Sequence, residues 1–119
     1  MIENLDKIRK FGADINEQNV REIRSYIQGA VYCWCKNRRE PDGLSRWFAA
    51  RDLFGGANRD WEGTPLYQIF EWYKAEGYKD PEKEAGIDVG RLLKEVLHDD
   101  KRVFQIGKNY TLKYRWMGK

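Results

Sequence analysis

The sequence predicts a mostly helical α+β domain closed near its C-terminal end by a β-hairpin. Two periods predict it. Apolar residues recur at helical spacing over 18–37 and 88–98, and over 110–116 the period drops to two. A third observation sets the scale: 119 residues, 41% hydrophobic and 34% charged, suffice for one core and one domain. Residues 1–119 are therefore read as a single domain, with 1–16 as an N-terminal extension.

The elements follow in order. Ile2, Leu5, Ile8 and Phe11 have a weak helical spacing that stops at Gly12. Asn16 is placed to cap a helix whose apolar stripe is Val20, Ile23, Ile27, Ala30, Val31 and Trp34. Cys33 and Cys35 flank that stripe from opposite sides, so packing at the core's edges accounts for both. "NRREPDG" breaks the chain with Pro41 and Gly43. Trp47 and Phe48 open as a short strand, and 49–54 makes about two helical turns ended by Gly55 and Gly56. "ANRDWEG" is a loop.

Thr64 as N-cap, Pro65 at the first helical position and Gly77 as the stop frame the next helix, with Leu66, Ile69, Phe70 and Tyr73 on one face. Asp80, Pro81 and Gly86 read as the cap, start and end of a brief helix. Asp88 then caps "VGRLLKEVLH", whose apolar side is Val89, Leu92, Leu93, Val96 and Leu97. Last, Tyr110, Leu112, Tyr114 and Trp116 alternate with Thr111, Lys113 and Arg115, a half-buried strand. "RVFQI" precedes it across the loop "GKN", a register that faces Ile106 with Tyr110 and Phe104 with Leu112.

Several function classes lack support. No run approaches the roughly 20 apolar residues of a membrane span, and the charged start "MIENLDKIRKFG" has no signal-peptide core, which favours a cytoplasmic protein. Positions i and i+2 of a helix point apart, so Cys33 and Cys35 cannot pair with each other. With the single histidine, His98, they offer too few ligands for zinc, so neither metal nor cofactor is expected. One histidine, no glycine-rich phosphate loop and no nucleophile motif argue against an enzyme.

Charge is more telling. Residues 101–119 carry six bases and no carboxylate side chain, so the net +3 divides into −3 before residue 101 and +6 after it. Residues 56–100 hold eleven acids and six bases. A helix that ends on Asp99 and Asp100 thus passes directly into a basic hairpin.

The run "AGIDVGRLLKEVLHDDKRVFQIGKNYTLKYRW", with the first helix and "RWFAARDLFG" before it, resembles winged-helix DNA-binding domains. That family runs helix, short strand, short helix, helix and hairpin. The departure is 55–80, an extra helix where the minimal fold has a short turn. The resemblance implies that 82–116 holds the recognition helix (88–98) and wing, with wing strands at 104–106 and 110–116 and the tip at 107–109. Double-stranded DNA is then the partner. Arg91 is placed for a bidentate contact to guanine and Lys94 for a phosphate or base edge, while Lys108 at the tip and Lys113 and Arg115 on the polar wing face attract phosphate without regard to sequence. The same residues also describe a solvated sheet face and a solvated helix in which Glu95 pairs with Arg91.

A second reading is a protein-interaction module or small assembly subunit, with a protein partner or a second copy of the chain. Its candidates are aromatics with no obvious place in the core: Trp61, Trp72, Tyr32 and Tyr67. The alternative for Trp61 is that it folds back over the core beneath its loop.

Overall fold

The computed structural model describes residues 12–56 and 59–119. The spacing of Ile2, Leu5, Ile8 and Phe11 lies outside the described residues. Within them the chain is α+β: four helices followed by a two-stranded antiparallel hairpin.

Helix α1 (Glu17–Asn37) starts where Asn16 Oδ1 accepts from the Asn19 amide at 2.9 Å. Its stripe of Ile23, Ile27, Val31 and Cys35 is buried. Cys33 is exposed, so only one of the two thiols packs in the core. Burial raises the Cys35 thiol to about 11 from its ordinary 9.0. After α1 the chain reverses through Pro41–Gly43, bridging Arg39 to Ser45. Segment 45–48 then runs beside the hairpin before α2 (Ala50–Phe54), which begins where Asp52 accepts from the Ala49 amide and ends at Gly55, φ 85°.

Helix α3 (Tyr67–Ala75) starts later than Thr64 predicts. The Thr64 hydroxyl donates to Trp61 O at 2.8 Å, and a tight turn through Pro65 and Leu66 leads into the helix. A cap side chain engaged by the preceding loop cannot serve the helix amides.

Helix α4 (Pro81–Asp99) is the largest correction. Asp80 caps it as expected, accepting from the Lys83 amide at 3.2 Å, but Gly86 does not close it and Asp88 caps nothing. One helix runs through both. A side chain at Gly86 would crowd the Arg59 guanidinium, 3.2 Å from an added Cβ. Asp88, 1% exposed, faces inward with Ala85 and Val89. It accepts from the Gly12 amide at 3.2 Å, the Ala13 amide at 3.0 Å and the Tyr73 hydroxyl at 2.6 Å, with Arg91 Nη1 3.5 Å away. One buried carboxylate thereby ties α4 to α3 and to the segment ahead of α1. Burial, then the Asp88 hydrogen bond and charge, push the Tyr73 phenol well above its ordinary range.

Strands β1 (Phe104–Asn109) and β2 (Thr111–Trp116) form the hairpin in a register different from the predicted one. Phe104 faces Trp116, Ile106 faces Tyr114 and Lys108 faces Leu112. The reversal falls on Tyr110, at φ 67° and wholly exposed, so Tyr110 is the tip rather than a member of the apolar face. The core explains the shift. The predicted register left Tyr114 and Trp116 beyond β1, whereas the observed one sets them against Ile106 and Phe104, where Phe104, Tyr114 and Trp116 are buried.

Segment 45–48 pairs with the other edge of β2. Phe48 and Tyr114 exchange two backbone hydrogen bonds of 2.8 Å, and Ser45 N donates to Trp116 O at 3.1 Å. The spatial order is therefore segment 45–48, β2, β1. Phe48 lies 6.5 Å from Phe104 and 6.0 Å from Tyr114, ring to ring, joining the sheet to the helical core.

Candidate nucleic-acid interface

On α4 the spacing 83, 87, 90, 94, 98 defines one stripe, and in the fold it faces outward: Lys83, Ile87 and His98 are exposed, Gly90 and Lys94 half-buried. A Cβ added at Gly90 meets nothing within 4 Å, so the helix backbone is open there. Between this helix and β2 lies a groove of about 300 Å³, lined by Ile87, Arg91 and Lys94 on one wall and by Leu112 and Tyr114 on the other. The two parts that the sequence places in 82–116 thus stand side by side. Burial pushes the Tyr114 phenol up to about 12.

Arg91 and Lys94 share the groove but not the same surroundings. Arg91, with 29% of its side chain exposed, is drawn toward Asp88 rather than standing out from the helix. Glu95 is not its partner, because Arg24 of α1 takes Glu95 at 2.6 Å and Asp99 at 2.7 Å. Asp100 is buried, accepting from Gln28 Nε2 at 3.3 Å and from the Arg102 amide at 2.8 Å. This resolves the acidic pair that precedes the basic hairpin. Asp99 and Asp100 lock the end of α4 to α1 and start the turn into β1, and Arg24 offsets the charge of Glu95 and Asp99.

The hairpin separates cations that the sequence groups. Residues paired across an antiparallel ladder share a face. Lys108 pairs with Leu112, so it belongs to the face that carries Ile106 and Tyr114, beyond the edge of the core. Lys113 pairs with Gly107 and Arg115 with Gln105, on the opposite face. Arg102 belongs to neither group. Its guanidinium lies 4.1 Å from the Tyr32 ring centroid and 4.8 Å from that of Trp116. Of the five predicted contacts, the fold therefore sets Arg91 and Lys94 in the groove, Lys108 on the sheet face that looks into it, and Lys113 and Arg115 behind.

Behind, they meet a residue that sequence reasoning used only as part of a strand. Trp47 lies against Gly107 with the Arg115 guanidinium 4.7 Å from its ring centroid. Neighbouring strand residues point to opposite faces, so of Trp47 and Phe48 only one can enter the core. That alternation was the available signal.

The aromatics of the interaction reading are dispersed. Trp61 is 8% exposed, its Nε1 donating to Phe54 O at 2.8 Å and its ring covered by Arg59 at 4.3 Å. It folds over the core and is no surface anchor. Tyr67, half-buried, stacks on Phe70 at 5.5 Å and lines a small cleft with Trp61. Trp72, half-buried, packs instead against Tyr73 at 5.0 Å and Tyr78 at 6.1 Å. Five residues along a helix put Tyr67 and Trp72 roughly 140° apart, on different sides of α3.

No protein-family model, curated protein or solved structure matches the chain. Among the described residues no three His, Cys, Asp or Glu side chains gather as a metal would need, and no helix is long and apolar enough to cross a membrane.

Proposed function

We propose that the chain is a non-enzymatic nucleic-acid-binding protein that engages double-stranded DNA in the manner of a winged helix. The outward stripe of α4 enters the major groove and the hairpin lies along the backbone. The observation that carries this reading is the sheet: a segment before α2 pairs with β2, β2 lies between it and β1, and the hairpin projects beyond the core beside α4. Lys94 and Lys108 supply charge on that side, and no carboxylate among the described residues lies within ion-pair distance of either. Arg91, held toward Asp88, serves the fold as the counter-ion of a buried carboxylate and reaches DNA only from the wall of the groove.

The test is anisotropy titration of a labelled duplex at low and physiological salt. Binding is expected to weaken steeply with salt and to be lost in Lys94→Glu with Lys108→Glu. A wild-type protein that binds no duplex at low salt would refute the reading. The protein-interaction reading keeps Tyr67 and Trp72 but not Trp61, and a concentration-dependent dimer in sedimentation, lost in Tyr67→Ala, would favour it.

A further inference from the structure

With a duplex at the α4 groove, the outer face of the C-terminal sheet, which carries Lys113 and Arg115, is turned away from it. Its inner face is closed by the core through Phe48, Phe104 and Tyr114. The outer face presents Gln105 and Gly107 from β1, Lys113 and Arg115 from β2, and Trp47 from the adjoining segment. Trp47 is 37% exposed, although an indole of its size normally hides more of itself.

The side chains there hold one another in place. A Cβ at Gly107 would come within 3.1 Å of Trp47 Cζ3 and 3.3 Å of Cη2, so the absence of a side chain lets the six-membered ring settle on the strand. Gly107 needs no left-handed conformation, and its effect here is room. Arg115 Nε donates to Gln105 Oε1 at 3.0 Å, which holds the guanidinium where it meets the indole. Lys113, opposite Gly107, is one pair nearer the tip. Among the described residues no carboxylate pairs with Lys113 or Arg115.

We propose that this outer face binds single-stranded nucleic acid. Trp47 with the Arg115 guanidinium forms a stacking platform for one unpaired base, and Lys113 neutralises the adjoining phosphate. Unpaired bases are the fitting partner because a base inside a duplex has both faces stacked on its neighbours, whereas a splayed base offers a whole face to an indole on an open sheet. Lys113 and Arg115 lie behind the sheet face that looks into the α4 groove, so the two surfaces are separate. An acidic peptide would use the cations and leave the indole idle. The inference does not rest on the duplex reading: it reassigns Lys113 and Arg115, which lie behind the α4 groove, and uses none of Arg91, Lys94 and Lys108.

The experiment is titration of labelled oligo-dT, beside the duplex, with Trp47→Ala, Trp47→Phe, Lys113→Ala and the pair Lys94→Glu with Lys108→Glu. Wild-type protein should bind oligo-dT. Trp47→Ala should weaken that by about tenfold and Trp47→Phe by much less, since stacking one base on an aromatic is worth roughly a factor of ten. Lys113→Ala should lower the salt slope by about one. The pair Lys94→Glu with Lys108→Glu should leave oligo-dT binding unchanged even if duplex binding disappears. Polyglutamate should compete poorly. If Trp47→Ala fails to fold, Lys113→Glu with Arg115→Glu replaces it and should abolish oligo-dT binding alone. The proposal is overturned if wild-type protein ignores oligo-dT at low salt, if folded Trp47→Ala binds it as wild type does, if the folded Lys113→Glu with Arg115→Glu pair still binds it, or if polyglutamate displaces it as well as oligo-dT itself.

Discussion

The two faces of the hairpin are built from the same alternating strands and end differently. The inner face carries Phe104, Ile106, Tyr114 and Trp116, with Phe104 and Tyr114 almost wholly buried. The outer carries Gln105, Gly107, Lys113 and Arg115, all half-buried, under a single indole. Alternation decides which residues share a face, while the body opposite decides which are buried. Lys108 and Leu112 make the point, since both belong to the inner set. Leu112 meets the groove wall, and Lys108, its ladder partner, is exposed where the core runs out. Tyr110, apolar by the same count, lies at the turn with no neighbour to cover it.

The sharpest way to test the contrast is to remove a ring from the inner face. Phe104→Ala should cost about 3–5 kcal/mol in a denaturant titration, whereas Lys113→Ala on the outer face should stay within about 0.5 kcal/mol. Comparable effects would break the comparison. Next is Asp88, which holds the helices that the inner face packs on. Asp88→Ala strands the Gly12 and Ala13 amides and the Tyr73 hydroxyl, a loss of about 3 kcal/mol or more. Gly12→Ala should lose about 1–3 kcal/mol, since its Cβ would lie 2.6 Å from Tyr73 Oη and 2.9 Å from Asp88 Oδ1.

A pH scan probes burial without mutation. Cys35 rises from 9.0 to about 11 and Tyr114 from 10.0 to about 12, both chiefly by burial. The unfolded chain therefore releases these protons first, and ionisation favours unfolding. Stability should be unaffected by either group below pH 9, then fall from pH 9 to 11 through Cys35 and from 10 to 12 through Tyr114. Cys35→Ala should remove the earlier part of the decline in midpoint denaturant concentration. At neutral pH, Cys33 should react with a thiol reagent at once and Cys35 only on unfolding. On the outer face, Trp47→Ala should cost about 1–2 kcal/mol, less than Phe104→Ala, because part of its indole already meets solvent. A loss as large as that of Phe104→Ala would mean that Trp47 is held for stability, and the outer face would then differ from the inner only in charge.

Local features were legible because their free energies are local. The stripe Ile23, Ile27, Val31 and the Asn16 cap lie within one helix, and so do Asp80 with Pro81 and the apolar side of α4. The hairpin's period of two and the charge boundary at residue 101 required no knowledge of the rest of the chain. The candidate site was legible as a region: a helix and a basic hairpin over 82–116. Its division was not. Whether Asp88 caps a helix or accepts from Gly12, 76 residues away, depends on which surfaces meet. The hairpin register depended on where the core could take Tyr114 and Trp116, and Trp61 on the Phe54 carbonyl and the Arg59 side chain waiting for its ring. The separation of Lys113 and Arg115 from Lys94, and their meeting with Trp47, followed from that register and from the pairing of segment 45–48 with β2. Periods and caps are set by neighbours in the chain, so sequence alone determined them. Register, polar partners and the shared faces of distant residues are set by packing that couples the whole chain, and only the tertiary structure decided those.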